Sequence, residues 1–131
     1  MAQTPPTYRV LSKTPLGGTG FWDYVTVDPD ACRVYITHNN QIEVVDADTK
    51  KLVGVISNTA GAHNVAIATR QNRGFITNGR SNTVTMFDPK TLKTLGDVPA
   101  GTNPDALLYD AFSGRVFSFN NDSRDITGLE A

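Results

Sequence analysis

The chain has 131 residues, 19% of them charged and 39% hydrophobic, which fits an ordinary folded domain or part of a larger one and excludes a disordered chain. Twelve Lys+Arg against thirteen Asp+Glu leave a net charge of -1, which argues against nucleic-acid binding and against a polybasic membrane anchor. No apolar run approaches the roughly 18–20 residues of a bilayer span, and the single cysteine, Cys32, excludes an intramolecular disulfide.

Met1 to Pro6 lacks both a charged and an apolar segment, so it is not itself a signal peptide. Residues 1–7 read as a flexible tail, since Pro6 has no backbone N–H and restricts Pro5. Residues 8–14, from Tyr8, read as a lone outer strand. Gly17-Gly18-Thr19-Gly20 matches neither a dinucleotide fingerprint nor a phosphate loop, and no helical pattern follows; its glycines read as turn residues with positive φ.

From there the chain repeats itself. At an offset of 40, Val25, Arg33, Ile36 and Thr37 meet Val65, Arg73, Ile76 and Thr77. At an offset of 42, Asp46, Thr49, Lys51 and Gly54 meet Asp88, Thr91, Lys93 and Gly96, and Arg73, Phe75 and Asn78 meet Arg115, Phe117 and Asn120. Within the first repeat, spanning 20–57, strands are predicted at Tyr24–Val27, Arg33–Thr37, Gln41–Val45 and Lys51–Ile56, separated by Asp-Pro and Asn-rich turns. The second, 61–99, predicts strands over Asn64–Ala68, Arg73–Thr77, Thr83–Phe87 and Leu92–Val98. The third, 101–131, predicts Ala106–Tyr109, Arg115–Phe119 and a short Asp125–Leu129. No segment carries a sustained helical period.

Four antiparallel strands every 40–42 residues predict an all-β chain built of β-propeller blades. A β-sandwich has similar strand spacing but no reason to repeat its sequence every fourth strand. About three blades are present in residues 8–131, fewer than the four that close the smallest ring.

The wording of the repeat resembles the YVTN-type repeat of YncE-like bacterial β-propellers. The nearest stretches are Val34-Tyr35-Ile36-Thr37-His38 and Gly74-Phe75-Ile76-Thr77-Asn78, with loops at Gly20 to Tyr24 and Gly101 to Ala106. The resemblance covers residues 8 to 130. It implies a ring of about seven blades in full-length members, and an exported protein, periplasmic or secreted, whose signal has been removed. It implies no particular activity. The chain is therefore expected to be either a piece of a longer propeller or a unit that associates head to tail, with the strand at 8–14 completing the three-stranded last blade.

In a propeller the first strand of each blade lines the channel, and repeat-equivalent residues converge at one mouth. One such set is Asp23, His63 and Asp105; another is His38, Asn78 and Asn120. Carboxylates and imidazoles converging there could hold a divalent metal, the one cofactor the sequence offers, or grip a polar ligand. The ligand-binding set is Trp22, Asp23, His38, His63 and Asp105, with Asp23, His63 and Asp105 the metal candidates. For Asn78 and Asn120 turn capping is the stronger reading, and for Trp22 it is packing. Cys32 reads as an incidental thiol, and no residue is assigned a catalytic role. Arg33, Arg73 and Arg115 recur at one position and read as structural.

The expected function is a non-catalytic binding or scaffold module that holds a protein or small-molecule ligand at the channel mouth. The alternatives are a metal-assisted lactonase-like hydrolase and a DNA-binding propeller; the charge balance opposes the latter.

Overall fold

The computed structural model describes residues 1–131. It contains eleven strands: β1 (Trp22–Asp28), β2 (Arg33–His38), β3 (Gln41–Asp46), β4 (Leu52–Ser57), β5 (Ala62–Ala68), β6 (Arg73–Asn78), β7 (Thr83–Phe87), β8 (Thr94–Pro99), β9 (Pro104–Asp110), β10 (Arg115–Asn120) and β11 (Asp125–Glu130). One 3₁₀ turn, Thr69–Gln71, joins β5 to β6. The strands form three antiparallel sheets in chain order, β1-β2-β3-β4, β5-β6-β7-β8 and β9-β10-β11. These are the propeller blades that the repeat predicts, in an unclosed series. Blade two sits between the others, with β1 against β5 and β5 against β9.

The blades pack because the strands of the middle blade carry apolar side chains on both faces of the sheet, as expected of a sheet covered on both sides. Tyr35, Ile42, Val44 and Ile56 of blade one pack on Ala62, Val65, Ile76 and Phe87 of blade two. The opposite face of blade two presents Ala66, Ala68, Phe75 and Val84 to Leu107 and Val116 of blade three. Tyr35, Phe75 and Phe87 are almost fully buried, and the two phenylalanines each contribute on the order of 2–3 kcal/mol by transfer from water. The tilted Tyr35–Phe87 pair, with ring centroids 5.8 Å apart, joins two blades. Arg33 reaches across the same interface, donating from Nη1 to the Pro89 carbonyl. The recurring arginine thus has a structural partner on the neighbouring blade at one of its three positions.

The turns follow from their carboxylates. Asp46 Oδ1 accepts Asp48 N–H at 3.0 Å and Thr49 N–H at 2.7 Å. Asp88 repeats this with Lys90 and Thr91, and Asp110 with Phe112 and Ser113. These backbone N–H groups hold all three carboxyls below the usual aspartate range, helped at Asp46 by the Thr49 hydroxyl and led at Asp110 by that of Ser113. The Asp88 turn corrects one boundary. Leu92 has φ +60° and donates its N–H to Asp88 O at 2.8 Å, so β8 begins at Thr94 rather than at Leu92.

Residues 8–14 form no strand and stay exposed. The edge they were expected to complete, β11, belongs to blade three, which lies beyond blade two from the N-terminal segment. From Thr14 onward the chain instead runs along blade one, where Thr14, Pro15 and Leu16 border a cleft with Gln41, Glu43 and Val45.

Candidate functional site at the channel mouth

Each inner strand carries one extra residue at the same place. The β1–β2 pairing shifts by one between Trp22 and Val25, the β5–β6 pairing between Ala62 and Val65, and the β9–β10 pairing opposite Ser118 and Asn120. The irregular stretches are Asp23-Tyr24, His63-Asn64 and Asp105-Ala106. A bulge turns a strand locally and re-aims a side chain. Here three equivalent bulges turn Asp23, His63 and Asp105 toward one another. One ligating atom of each lies within 4.8 Å of the others, and His63 Nδ1 is 2.7 Å from Asp23 Oδ2.

The bulges are braced by threonine. Thr37 Oγ1 lies 3.0 Å from Tyr24 O in its own blade and 3.1 Å from His63 O in the next. Thr77 Oγ1 accepts Asn64 N–H at 3.0 Å and donates to Asp105 O of blade three at 2.6 Å. Both threonines are fully buried. Asn64 adds to the brace: its Oδ1 accepts Val65 N–H at 2.8 Å and its Nδ2 donates to Leu107 O at 3.4 Å. Turns at the same end clamp the loops that enter these strands. Asn40 Oδ1 accepts Gly61 N–H at 2.9 Å, and Asn82 Oδ1 accepts Asn103 N–H at 2.8 Å.

The second repeat-equivalent set has a different task. Asn78 Nδ2 donates to Thr83 Oγ1 and Thr85 Oγ1, and Asn120 Nδ2 to Asp125 Oδ1 and Thr127 Oγ1, stitching the second strand to the third. His38 occupies the equivalent place and does the same. Its Nδ1 is 2.7 Å from Glu43 Oε1 and its Nε2 is 2.8 Å from Thr19 O. Glu43, followed by the Thr19 carbonyl, raises the His38 pKa. Trp22 stacks on the ring, centroids 4.2 Å apart and planes 15° from parallel. Both nitrogens of His38 are therefore taken by protein groups, and one face of Trp22 is covered. Gly18 is needed there on two counts: φ is +90°, and a β-carbon would come within 2.7 Å of His38 Cε1. Cys32 stands apart, its thiol raised chiefly by neighbouring Asp48, the opposite of an activated nucleophile.

Of the five candidate side chains, Asp23, His63 and Asp105 come together, while His38 and Trp22 pair with each other beside blade one. Sequence reading missed Thr37, Thr77 and Asn64. The Thr37–Thr77 match at an offset of 40 is the available signal, but it carries no hint of the cross-blade bonds.

No protein-family model matches the chain, and no curated protein matches it in sequence. Solved structures do match in fold. Hydrazine synthase of Kuenenia stuttgartiensis superimposes with a TM-score of 0.76 at 16% identity, over 82% of this chain and 32% of that one. A putative 6-phosphogluconolactonase of Bacteroides fragilis gives 0.70 at 12% identity, over 82% and 34%. A chain of the mitotic checkpoint complex gives 0.73 at 12% identity, over 82% and 35%. The chain spans about a third of the length of these structures. At such identities the likeness is one of fold, and the chain is a β-propeller module of three blades.

Proposed function

We propose that this module binds, without chemistry of its own, a polar small molecule or a polar segment of a partner protein at the mouth that carries Asp23, His63 and Asp105. The observation that carries the reading is the bulge repeated in all three inner strands, each aiming a polar, ligating side chain at one point. A device repeated with different residue types, and braced across blades, is better explained by a bound group than by turn formation. The resemblance to YVTN-type, YncE-like repeats supports export to the periplasm or beyond. The outward face of blade three exposes Leu108, Phe119 and Ile126, and that of blade one Val25 and Val27. Ala66, Val84 and Val65, the repeat equivalents of Leu108, Ile126 and Val25, are buried between blades. These faces fit further blades, supplied by a longer chain or by a second copy docking head to tail.

Nuclear magnetic resonance titration with a panel of sugar acids, amino acids and dipeptides tests the reading. Shifts clustered on the amides of residues 23, 63 and 105, lost in Asp23→Asn/Asp105→Asn, are expected; shifts elsewhere, or none across the panel, overturn it. A second reading, metal-assisted hydrolysis, draws on the same residues, because Asp23 orients the His63 ring as a carboxylate orients a general base. The Bacteroides neighbour bears a lactonase title. Lactone turnover abolished by Asp105→Asn would put this reading first.

A further inference from the structure

We propose that Asp23, His63 and Asp105 together hold one divalent transition-metal ion, each ligand coming from a different blade; the proposal rests on the reading of this mouth as a binding site and names what it binds.

Charge is the first reason. Two carboxylates converge on one imidazole, and neither forms an ion pair with a lysine or arginine; the chain's only ion pairs involve its histidines. The Asp105 carboxylate also takes part in no hydrogen bond within the chain. Asp23 shares the His63 ring, so Asp105 is the carboxylate left beside them without a partner.

Geometry is the second. The three ligating atoms already lie within 4.8 Å, while ligands of a four-coordinate zinc with bonds of about 2.0–2.1 Å sit roughly 3.3 Å apart. An ion would replace the proton between His63 Nδ1 and Asp23 Oδ2, so the 2.7 Å contact opens slightly and Asp105 draws in. The backbone under two of the ligands is held by threonine from the preceding blade, which limits what must be ordered on binding.

The fate of the His63 proton is the third. If Nδ1 ligates, the neutral ring carries its proton on Nε2, and a metal-bound histidine characteristically donates that proton to a nearby oxygen. Asn103 Oδ1 is the candidate. A β-carbon on Gly79 would lie 2.5 Å from His63 Nε2 and 2.6 Å from Asn103 Oδ1, so the bare glycine leaves space beside both atoms, which are not hydrogen-bonded to each other in the chain alone. Asn103 Oδ1 accepts no hydrogen bond, and its amide nitrogen faces Asp122. Gly79 acts on this proposal as a positioning residue, by leaving the ring that space.

The donor set selects the ion. Imidazole with two carboxylates suits zinc and its first-row neighbours over magnesium or calcium, which favour all-oxygen sites. Three protein ligands leave a fourth position open for an oxygen of a bound molecule.

The test uses the whole chain stripped with chelator, then titrated calorimetrically with Zn²⁺ alone and, in parallel, with Co²⁺ read by its visible absorption. One equivalent of Zn²⁺, with the intense cobalt bands of a four-coordinate site, is expected. His63→Gln and Asp105→Asn should each weaken zinc at least about tenfold. Gly79→Ala should weaken it by about tenfold with every ligand present, and the exposed control Asp48→Asn should not change it. Melting curves in chelator establish that each variant folds. Less than one equivalent at 100-fold excess, or an affinity indifferent to both ligand substitutions, overturns the proposal. Repeating the polar-ligand titration in chelator separates the two readings. Shifts at residues 23, 63 and 105 that persist with no zinc binding leave the binding mouth standing and remove the metal; loss of both removes both.

Discussion

The hydroxyl of Thr77 lies 2.6 Å from the carbonyl oxygen of Asp105, one blade away, while accepting the amide of Asn64 in its own blade. One side chain therefore supports the bulge of its own inner strand and fixes the next. Thr37 does the same for Tyr24 and His63. Blade packing and the geometry of the mouth are carried by the same atoms. Replacing Thr77 by valine keeps the shape but strands Asp105 O and Asn64 N–H in a buried setting. Denaturant unfolding should show a loss of about 1–3 kcal/mol. Zinc affinity should fall although no ligand is touched. Unchanged stability would show that these bonds contribute nothing.

His38 and the turn aspartates should shape the pH dependence of stability from opposite sides. The folded pKa of His38 is raised, chiefly by Glu43. Its contribution is therefore complete below the ordinary histidine value of about 6.5 and is lost as pH rises through the folded value. Asp46, Asp88, Asp110 and Asp125 have lowered folded pKa values. Their contribution is complete above the ordinary aspartate value of about 3.9 and is lost as pH falls through the folded values. Melting temperature against pH should peak between these limits. Glu43→Gln should remove the alkaline decline and leave the acid one; a decline that survives this change assigns it to another group.

Gly74 pairs with Phe87 across β6 and β7, and a β-carbon there would come within 2.1–2.6 Å of the ring. Phe87 is fully buried in the interface of blades one and two, so the ring has nowhere to retreat. Gly74→Ala should destabilise by about 1–3 kcal/mol through overpacking, whereas Gly17→Ala, with open space around it, should cost only its strained φ. Equal losses at the two positions would refute the packing explanation.

The open faces should make the isolated chain self-associate. Phe119 stands at the position where blades one and two place the bracing threonines, Thr37 and Thr77, and it is 42% exposed, with Ile126 59% exposed beside it. Light scattering at tens of micromolar should give a mass above 14.2 kDa. Phe119→Asp with Ile126→Asp should lower it to that of one chain. A monomeric parent would assign these faces to further blades of a longer chain alone.

Much of the architecture is legible in the sequence by itself. The repeat of 40–42 residues, its β-branched strands and its Asp and Asn turns locate all eleven strands within two residues, because alternation and turn chemistry are local properties. The start of β8 is placed two residues early, since nothing local marks Leu92 as a leucine at φ +60°. Residues 8–14 form no strand in the single chain, because a lone strand depends on an edge to pair with, and that edge lies at the far end of the series. At the mouth, repeat register alone brings Asp23, His63 and Asp105 into one set, and the structure places them within 4.8 Å. Register puts His38 in a second set, with Asn78 and Asn120, but does not tell a ligand from a structural residue. Only the fold shows Glu43, Thr19 and Trp22 closing around its ring, because those contacts join residues 5 to 19 positions away. The bulges and the threonine braces are likewise products of tertiary structure: a bulge is defined by the partner strand, and a cross-blade hydrogen bond by the angle at which two sheets meet.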